Sequence, residues 1–200
     1  MGKFLFATLI LAIVIGTSSI AQANLLVNPS FEDGTLTSWT VDWAESNIGT
    51  STVNPQSGTY HARNYNDGGR YQDVSITGGE QYRLTGYAYI PAGGQTEPWN
   101  TFIGLRMFDA VGGQLFNWQY DMKDLPRNLY NLADSNWVAA PATAVIARVR
   151  FGTWASLPYS PANPTDFDNF DFTPIPEPTS LLLLGSGLVG LAAFTRKRRI

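Results

Sequence analysis

The sequence predicts an all-β chain, a β-sandwich of jelly-roll type, with a segment at each end that is not part of the fold. Three observations carry this. Between residues 24 and 173, apolar and polar residues alternate in short runs, the period of a half-buried strand. Clusters of Gly, Pro, Asn and Asp punctuate the runs as turns do. The stretch is rich in Thr, Tyr and Trp and has no long Ala/Leu/Glu/Lys segment that would hold a helix.

The elements follow in order. Asn24 to Val27 opens as a strand and Asn28-Pro29-Ser30 turns it. Trp39 to Trp43 is a second run. Asn54-Pro55-Gln56-Ser57-Gly58 is a loop, and His61 lies in the strand after it. Asn66-Asp67-Gly68-Gly69 reads as a hairpin turn. Arg70 to Ile76 alternates, with Gln72, Val74 and Ile76 on one side. In the next strand Tyr82, Leu84, Gly86, Ala88 and Ile90 make the core face; Arg83, Thr85, Tyr87 and Tyr89 make the other. Phe102 to Phe108 and Gln114 to Met122 are strands joined through Asp109 to Gly113. The parity of the second leaves Trp118 free to face either way. Lys123 to Asn136 is the least regular stretch, a short helix or a long loop, and Trp137 starts another element. In Ala144 to Phe151, Val145, Ala147, Val149 and Phe151 alternate with Ile146, Arg148 and Arg150. Pro158, Pro161 and Pro164 mark a loop, and Phe167 to Phe172 closes the domain. About eight or nine strands in one domain are enough for a sandwich.

The ends read differently. Lys3, the apolar run Phe4 to Ile15 and Ala21-Gln22-Ala23 have the order of a secretory signal peptide cleaved after Ala23. Near the other end, Pro176-Glu177-Pro178 precedes the apolar run Leu181 to Phe194 and the basic cluster Arg196-Lys197-Arg198-Arg199. Prolines favour extended chain, and a basic cluster stays on the cytoplasmic side of a membrane. The run is short, 14 residues, against the ~20 of a full membrane helix. This three-part order resembles the PEP-CTERM sorting signal of bacteria. The resemblance implies a transient inner-membrane stage, cleavage near Pro176-Glu177-Pro178 by an exosortase, and delivery to the cell surface or an extracellular matrix. The alternative is a tail anchor that is never cut. The expected division is therefore 1–23 signal peptide, 24–173 β-sandwich and 174–200 sorting signal.

Charge narrows the partners. Without Lys3, Arg196, Lys197, Arg198 and Arg199, the 13 basic residues become 8; without Glu177, the 16 acids become 15, so the exported part carries −7. Nucleic acid, which needs a basic footprint, is not an expected partner. With no cysteine there is no disulfide and no thiol chemistry.

The opening Asn24-Leu25-Leu26-Val27-Asn28-Pro29-Ser30-Phe31-Glu32-Asp33-Gly34 with Trp39, and the closing Phe167-Asp168-Asn169-Phe170, resemble the ends of carbohydrate-binding-module and galactose-binding-like jelly rolls. The resemblance implies a structural calcium where first and last strands meet, held by Glu32 and Asp168. Asn28 and Ser57 are weaker candidates. It also implies carbohydrate, or extracellular polysaccharide, as ligand. Sugars stack on exposed aromatic faces with polar groups around the rim. Tyr87 and Tyr89 are the first candidates for such a platform, followed by Trp99, Trp118 and Tyr120. Trp154 and Tyr159 are rim candidates, while Trp39 and Trp137 are expected in the core. Catalysis is not expected. His61 is the sole histidine, no nucleophile-elbow motif is present, and no motif singles out a carboxylate pair. The rival readings are a structural matrix protein without a specific ligand and a glycoside hydrolase.

Overall fold

The computed structural model describes residues 23–44, 47–92, 100–122, 124–154, 164–175 and Gly185. Asn24–Ile175 form one compact unit. Within it the described residues form ten strands: β1 (Thr40–Trp43), β2 (Ile48–Ser51), β3 (His61–Asn64), β4 (Gly68–Ser75), β5 (Gln81–Tyr89), β6 (Asn100–Phe108), β7 (Gln114–Asp121), β8 (Tyr130–Ala139), β9 (Ile146–Trp154) and β10 (Thr165–Pro174). They build two antiparallel five-stranded sheets, ordered β1-β4-β9-β6-β7 and β2-β3-β10-β5-β8. We call them the first and second sheet. The fold is an all-β two-sheet sandwich.

Alternation decides which face each strand buries. In β5, Tyr82, Leu84 and Ala88 are wholly buried, and Arg83, Thr85, Tyr87 and Tyr89 point out, as the sequence predicts. Phe31, Trp39, Phe151, Phe167, Phe170 and Phe172 fill the space between the sheets. Trp39 packs edge-on against Phe151 at 5.2 Å and tilted against Phe170 at 5.3 Å. Truncating an aromatic this deep costs about 3–5 kcal/mol.

The segment 24–31 closes one side of the sandwich without forming a strand. Asn24 Nδ2 donates to Phe170 O, Asn24 Oδ1 accepts from Phe172 N, and Leu25 N donates to Phe172 O. Gln72 of β4 bonds both N and O of Val27. One segment thus ties β10 of the second sheet to β4 of the first.

Several expectations change. Asn66 to Gly69 is not a hairpin turn; it carries the chain from β3 in the second sheet to β4 in the first. Asn64 Nδ2 caps the crossing at Gly68 O, 2.9 Å. The stretch after Met122 contains no helix among its described residues, and β8 begins at Tyr130, well before Trp137. Trp137 is not core. It is 43% exposed, because β8 carries a bulge between its pairings Asp134↔Thr85 and Trp137↔Arg83. Asn136 in the bulge has φ 54°, and the extra residue turns Trp137 onto the outer face.

Among the described residues no helix is long and apolar enough to cross a membrane. Ala23 is described and exposed. Ala21 of the cleavage site, Trp99, Tyr159, the motif Pro176-Glu177-Pro178 and the run Leu181 to Phe194 lie outside the described residues, Gly185 apart.

Candidate ligand-binding face

The outer face of the first sheet gathers an aromatic cluster. Register places Trp43 of β1 opposite Gly69 of β4, Gly69 opposite Gly152 of β9, and Gly152 opposite Phe102 of β6. Residues directly opposite share a face. The Trp43 indole lies across those glycines. A Cβ on Gly69 would fall 1.9 Å from its ring, and one on Gly152 would fall 2.7 Å from it. Trp43 stacks on Phe102 at 5.9 Å, and Trp154 packs on Phe102 at 5.0 Å. Phe102 is sealed between them, while Trp154 stays 42% exposed. Trp43 Nε1 donates to Asp67 Oδ1, 2.9 Å.

Arg150 runs into this cluster. Its guanidinium carbon sits 4.9 Å from the Phe102 ring centre and 5.7 Å from that of Trp43. Nη2 meets Asp42 Oδ2 at 2.7 Å. Arg150 is only 4% exposed, and its Nε and Nη1 have no hydrogen-bond partner. Burial pulls its pKa below the ordinary arginine value, against the opposing pull of Asp42. Asn100 Oδ1, on β6 opposite Trp154, is likewise buried and unpartnered. Further along, Arg148 forms a two-point pair with Asp73 (2.7 and 2.8 Å) and lies over the Tyr71 ring at 3.8 Å. Aromatic faces beside unfilled donors and acceptors are what a polyhydroxylated ligand needs.

The outer face of the second sheet is built otherwise. Tyr87 and Tyr89 are there, half-buried, opposite Leu132 and Tyr130 of β8. Tyr89 packs on Tyr130 at 5.4 Å, and the Tyr130 hydroxyl donates to Asn54 O. Burial raises the Tyr130 pKa. Toward β10 and β3 the face becomes polar and closed. Asp166 accepts two bonds from Arg63, at 2.7 and 2.8 Å, and its Oδ1 lies 3.2 Å from His61 Nε2, out of line for a hydrogen bond. His61 and Asp166 are buried.

The two candidate metal ligands meet at the loop over this region. Asp168 accepts from Gln56 N, Ser57 N and Asn169 N, and Glu32 accepts from Thr59 N and Tyr60 N. Asn169 Nδ2 bonds Ser57 Oγ and Gln56 Oε1. Gly58 is required here. Its φ is 64°, and a Cβ would fall 2.3 Å from Glu32 Oε1. Burial raises the Asp168 pKa, with the amide bonds pulling the other way. Calcium takes six to eight oxygens. Both carboxylates accept N–H groups of this loop, two at Glu32 and three at Asp168, and the described residues contain no group of three His, Cys, Asp or Glu placed to hold a metal. Asn28 turns its side chain on Asp33 and Thr35 O.

Trp118 and Tyr120 are stacked on each other at 6.2 Å and packed against the core. Register explains why. Trp118 opposes Leu105 and Tyr120 opposes Ile103, both core residues, so the pair sits on the inner side of β7 and not on an open platform. The residues the sequence reading missed are Trp43, Phe102 and Arg150, with Trp154 placed only at a rim. The available signal was the pair Gly69 and Gly152, small residues on strands otherwise rich in large ones.

Comparisons with known proteins agree with both halves of the chain. Residues 174–199 match the PEP-CTERM protein-sorting motif. No curated protein sequence matches. Among solved structures, the enzymatically active domain of bacteriophage CBA120 tailspike protein 4 is similar with TM-score 0.59 and 15% identity over 76% of this chain. The chain spans only 21% of that protein. The carbohydrate-binding module TmCBM61, solved with beta-1,4-galactotriose, gives 0.53 and 16% identity over 76% of this chain and 99% of that one. The CBM22-1 xylan-binding domain of Paenibacillus barcinonensis Xyn10C gives 0.52 and 13% over 80% and 99%. The 24–175 unit therefore has the jelly-roll-like fold of carbohydrate-binding modules, and a PEP-CTERM sorting motif follows it.

Proposed function

We propose that the protein is exported, processed at its C-terminal motif by an exosortase-type protease after a transient stage in the inner membrane, and delivered to the cell surface or its polysaccharide matrix, where the sandwich binds carbohydrate without catalysis. Binding is assigned to the outer face of the first sheet. The observation that carries it is Trp154, 42% exposed beside the Trp43–Phe102 stack, with the half-buried Arg106 on the same face. A sugar ring would stack on the exposed Trp154 while Arg106 bonds its hydroxyls.

Sorting is tested by the intact mass of the native product. A species that begins at Asn24, ends near Pro176-Glu177-Pro178 and is found outside the cell is the expected result. Retention of Leu181 to Ile200 in the membrane fraction would overturn processing. Binding is tested by retention of the purified chain on a panel of polysaccharides, including the producer's own. Trp154→Ala should abolish retention with little change in melting temperature. Retention unchanged in Trp154→Ala but lost in Tyr87→Ala or Tyr89→Ala would move the site to the second sheet. A wild-type chain retained on nothing would leave the structural-matrix reading, and reducing sugar released from a polysaccharide would make it a hydrolase.

A further inference from the structure

The first sheet's outer face has a charge pattern that a neutral sugar does not explain. The exported part is acidic, with 8 basic residues against 15 acids. Yet Arg106 of β6 stands directly opposite Arg148 of β9, and Arg150 follows two positions along, on the same face. Like charges directly opposite each other destabilise a sheet. Their mutual repulsion is only partly cancelled. Asp73 holds Arg148 and Asp42 takes one nitrogen of Arg150. The side-chain partner of Arg106 is the neutral Asn117, 3.1 Å from its Nε, and among the described residues Arg106 has no carboxylate. Arg150 keeps Nε and Nη1 free in a site sealed from water. Planar guanidinium donors match the two oxygens of a carboxylate, or two oxygens of a sulfate, with charge-assisted bonds.

We propose that the ligand of this face is an acidic polysaccharide, whose anionic sugar substituent is received by Arg106, over the buried positive charge of Arg150, while a neighbouring ring stacks on Trp154. This rests on the carbohydrate-binding reading of the face and adds the class of sugar to it. A neutral hydroxyl would leave the arginine repulsion in place; an anion removes it.

The test measures binding of the full chain to polygalacturonate, to its carboxyl-reduced neutral counterpart and to a sulfated dextran, at low and high salt. The expected result is tighter binding of a charged polymer than of the neutral one, by roughly tenfold or more, the size of one charge-assisted hydrogen bond. The preference should shrink at high salt. Arg106→Gln, on a half-buried side chain that can be replaced without opening the core, should remove the preference while the melting temperature holds. Arg150→Gln should weaken it through loss of the buried positive charge. Preference for polygalacturonate identifies a carboxylate and preference for the sulfated polymer a sulfate ester. Equal affinity for charged and neutral polymers would overturn the anionic assignment and leave carbohydrate binding standing. A charge preference that survives unchanged in Arg106→Gln would also overturn it. Binding to none of these, nor to any other polysaccharide, would overturn both.

Discussion

The two outer faces of the sandwich use the same residue types to opposite ends. Each carries aromatic rings, arginines and aspartates. On the second sheet the charges are consumed, although both ring nitrogens of the buried His61 have no hydrogen-bond partner. Arg63 holds Asp166 at two points and reaches Val53 O, Asp168 is wrapped by amides, and a loop lies across the cluster. On the first sheet Arg150 is as deeply buried but half used, with Nε and Nη1 unpartnered. A buried polar group that is satisfied specifies a fold; one left without a partner is costly and calls for an explanation. The difference lies in the loops, because residues 52–60 cover one face with backbone donors and acceptors.

The sharpest way to break this contrast is at Asp166. Asp166→Asn leaves Arg63 and His61 facing a neutral group beneath the loop. Uncompensating a buried charge costs about 3–5 kcal/mol, so the melting temperature should fall by many degrees. Polysaccharide binding, measured below the new transition, should be unchanged. A stable variant with lost binding would exchange the roles of the two faces.

The mirror experiment is Gly69→Ala. The new Cβ would meet the Trp43 ring at 1.9 Å, so the indole must leave the floor of the cluster. Some stability goes with it, about 1–3 kcal/mol for an overpacked site. Binding should weaken by about 2 kcal/mol, roughly thirtyfold in Kd, the effect of losing a central contact. Isothermal titration on the folded fraction checks it. Full affinity in this variant would remove Trp43 from the site.

How much of this was readable from the chain depends on whether the information is local. The parity of β5 was, because Tyr82 to Tyr89 alternates without interruption and one face is buried. So was the opposition of Arg148 and Arg150 to Val149 and Phe151. The sheet crossing at Asn66–Gly69 was not, because a Gly-rich turn looks the same whether its strands pair or part. Trp137 was misplaced by a bulge, which shifts phase by one residue and leaves no mark on hydropathy. The aromatic cluster was hidden for two reasons. Trp43, Phe102 and Trp154 come from three strands distant in sequence, and the run Phe102-Ile103-Gly104-Leu105 is apolar on both faces, so it shows no alternation. Glu32 and Asp168 were picked out as a pair by resemblance. The structure brings them to one loop, but as acceptors of its N–H groups.

That loop supplies the next measurement. Glu32→Gln keeps an acceptor for Thr59 N and Tyr60 N but removes the charge, and should cost about 1–2 kcal/mol. With loop amides bound to both carboxylates, a chelator should leave the wild-type melting curve in place. A chelator-induced drop that Glu32→Gln abolishes would establish calcium instead, and would require the loop to turn carbonyls where it now presents N–H.

The smallest effect is in the acid titration of the second sheet's face. The Arg83 pair (2.5 and 2.9 Å) holds the Asp134 carboxyl below its ordinary pKa. Such a group stabilises the fold above the unfolded carboxylate pKa, near 3.9, and the contribution is lost as pH falls through its lower folded value. Asp168 has the opposite sign. Burial raises its pKa, so the fold binds its proton more tightly than the unfolded chain does. Stability from this group falls as pH rises from about 3.9 through its higher folded value and is level above that. Between pH 2 and 6, Asp134→Asn should therefore flatten the acid loss of stability by under about 1 kcal/mol, since the pair is partly exposed and screened. Asp168→Asn should remove the component of opposite slope and, because it also loosens the loop, lower stability throughout. Parallel melting curves for wild type and Asp134→Asn across this range would show that the exposed pair contributes nothing, and that the second sheet's stability rests on its buried cluster alone.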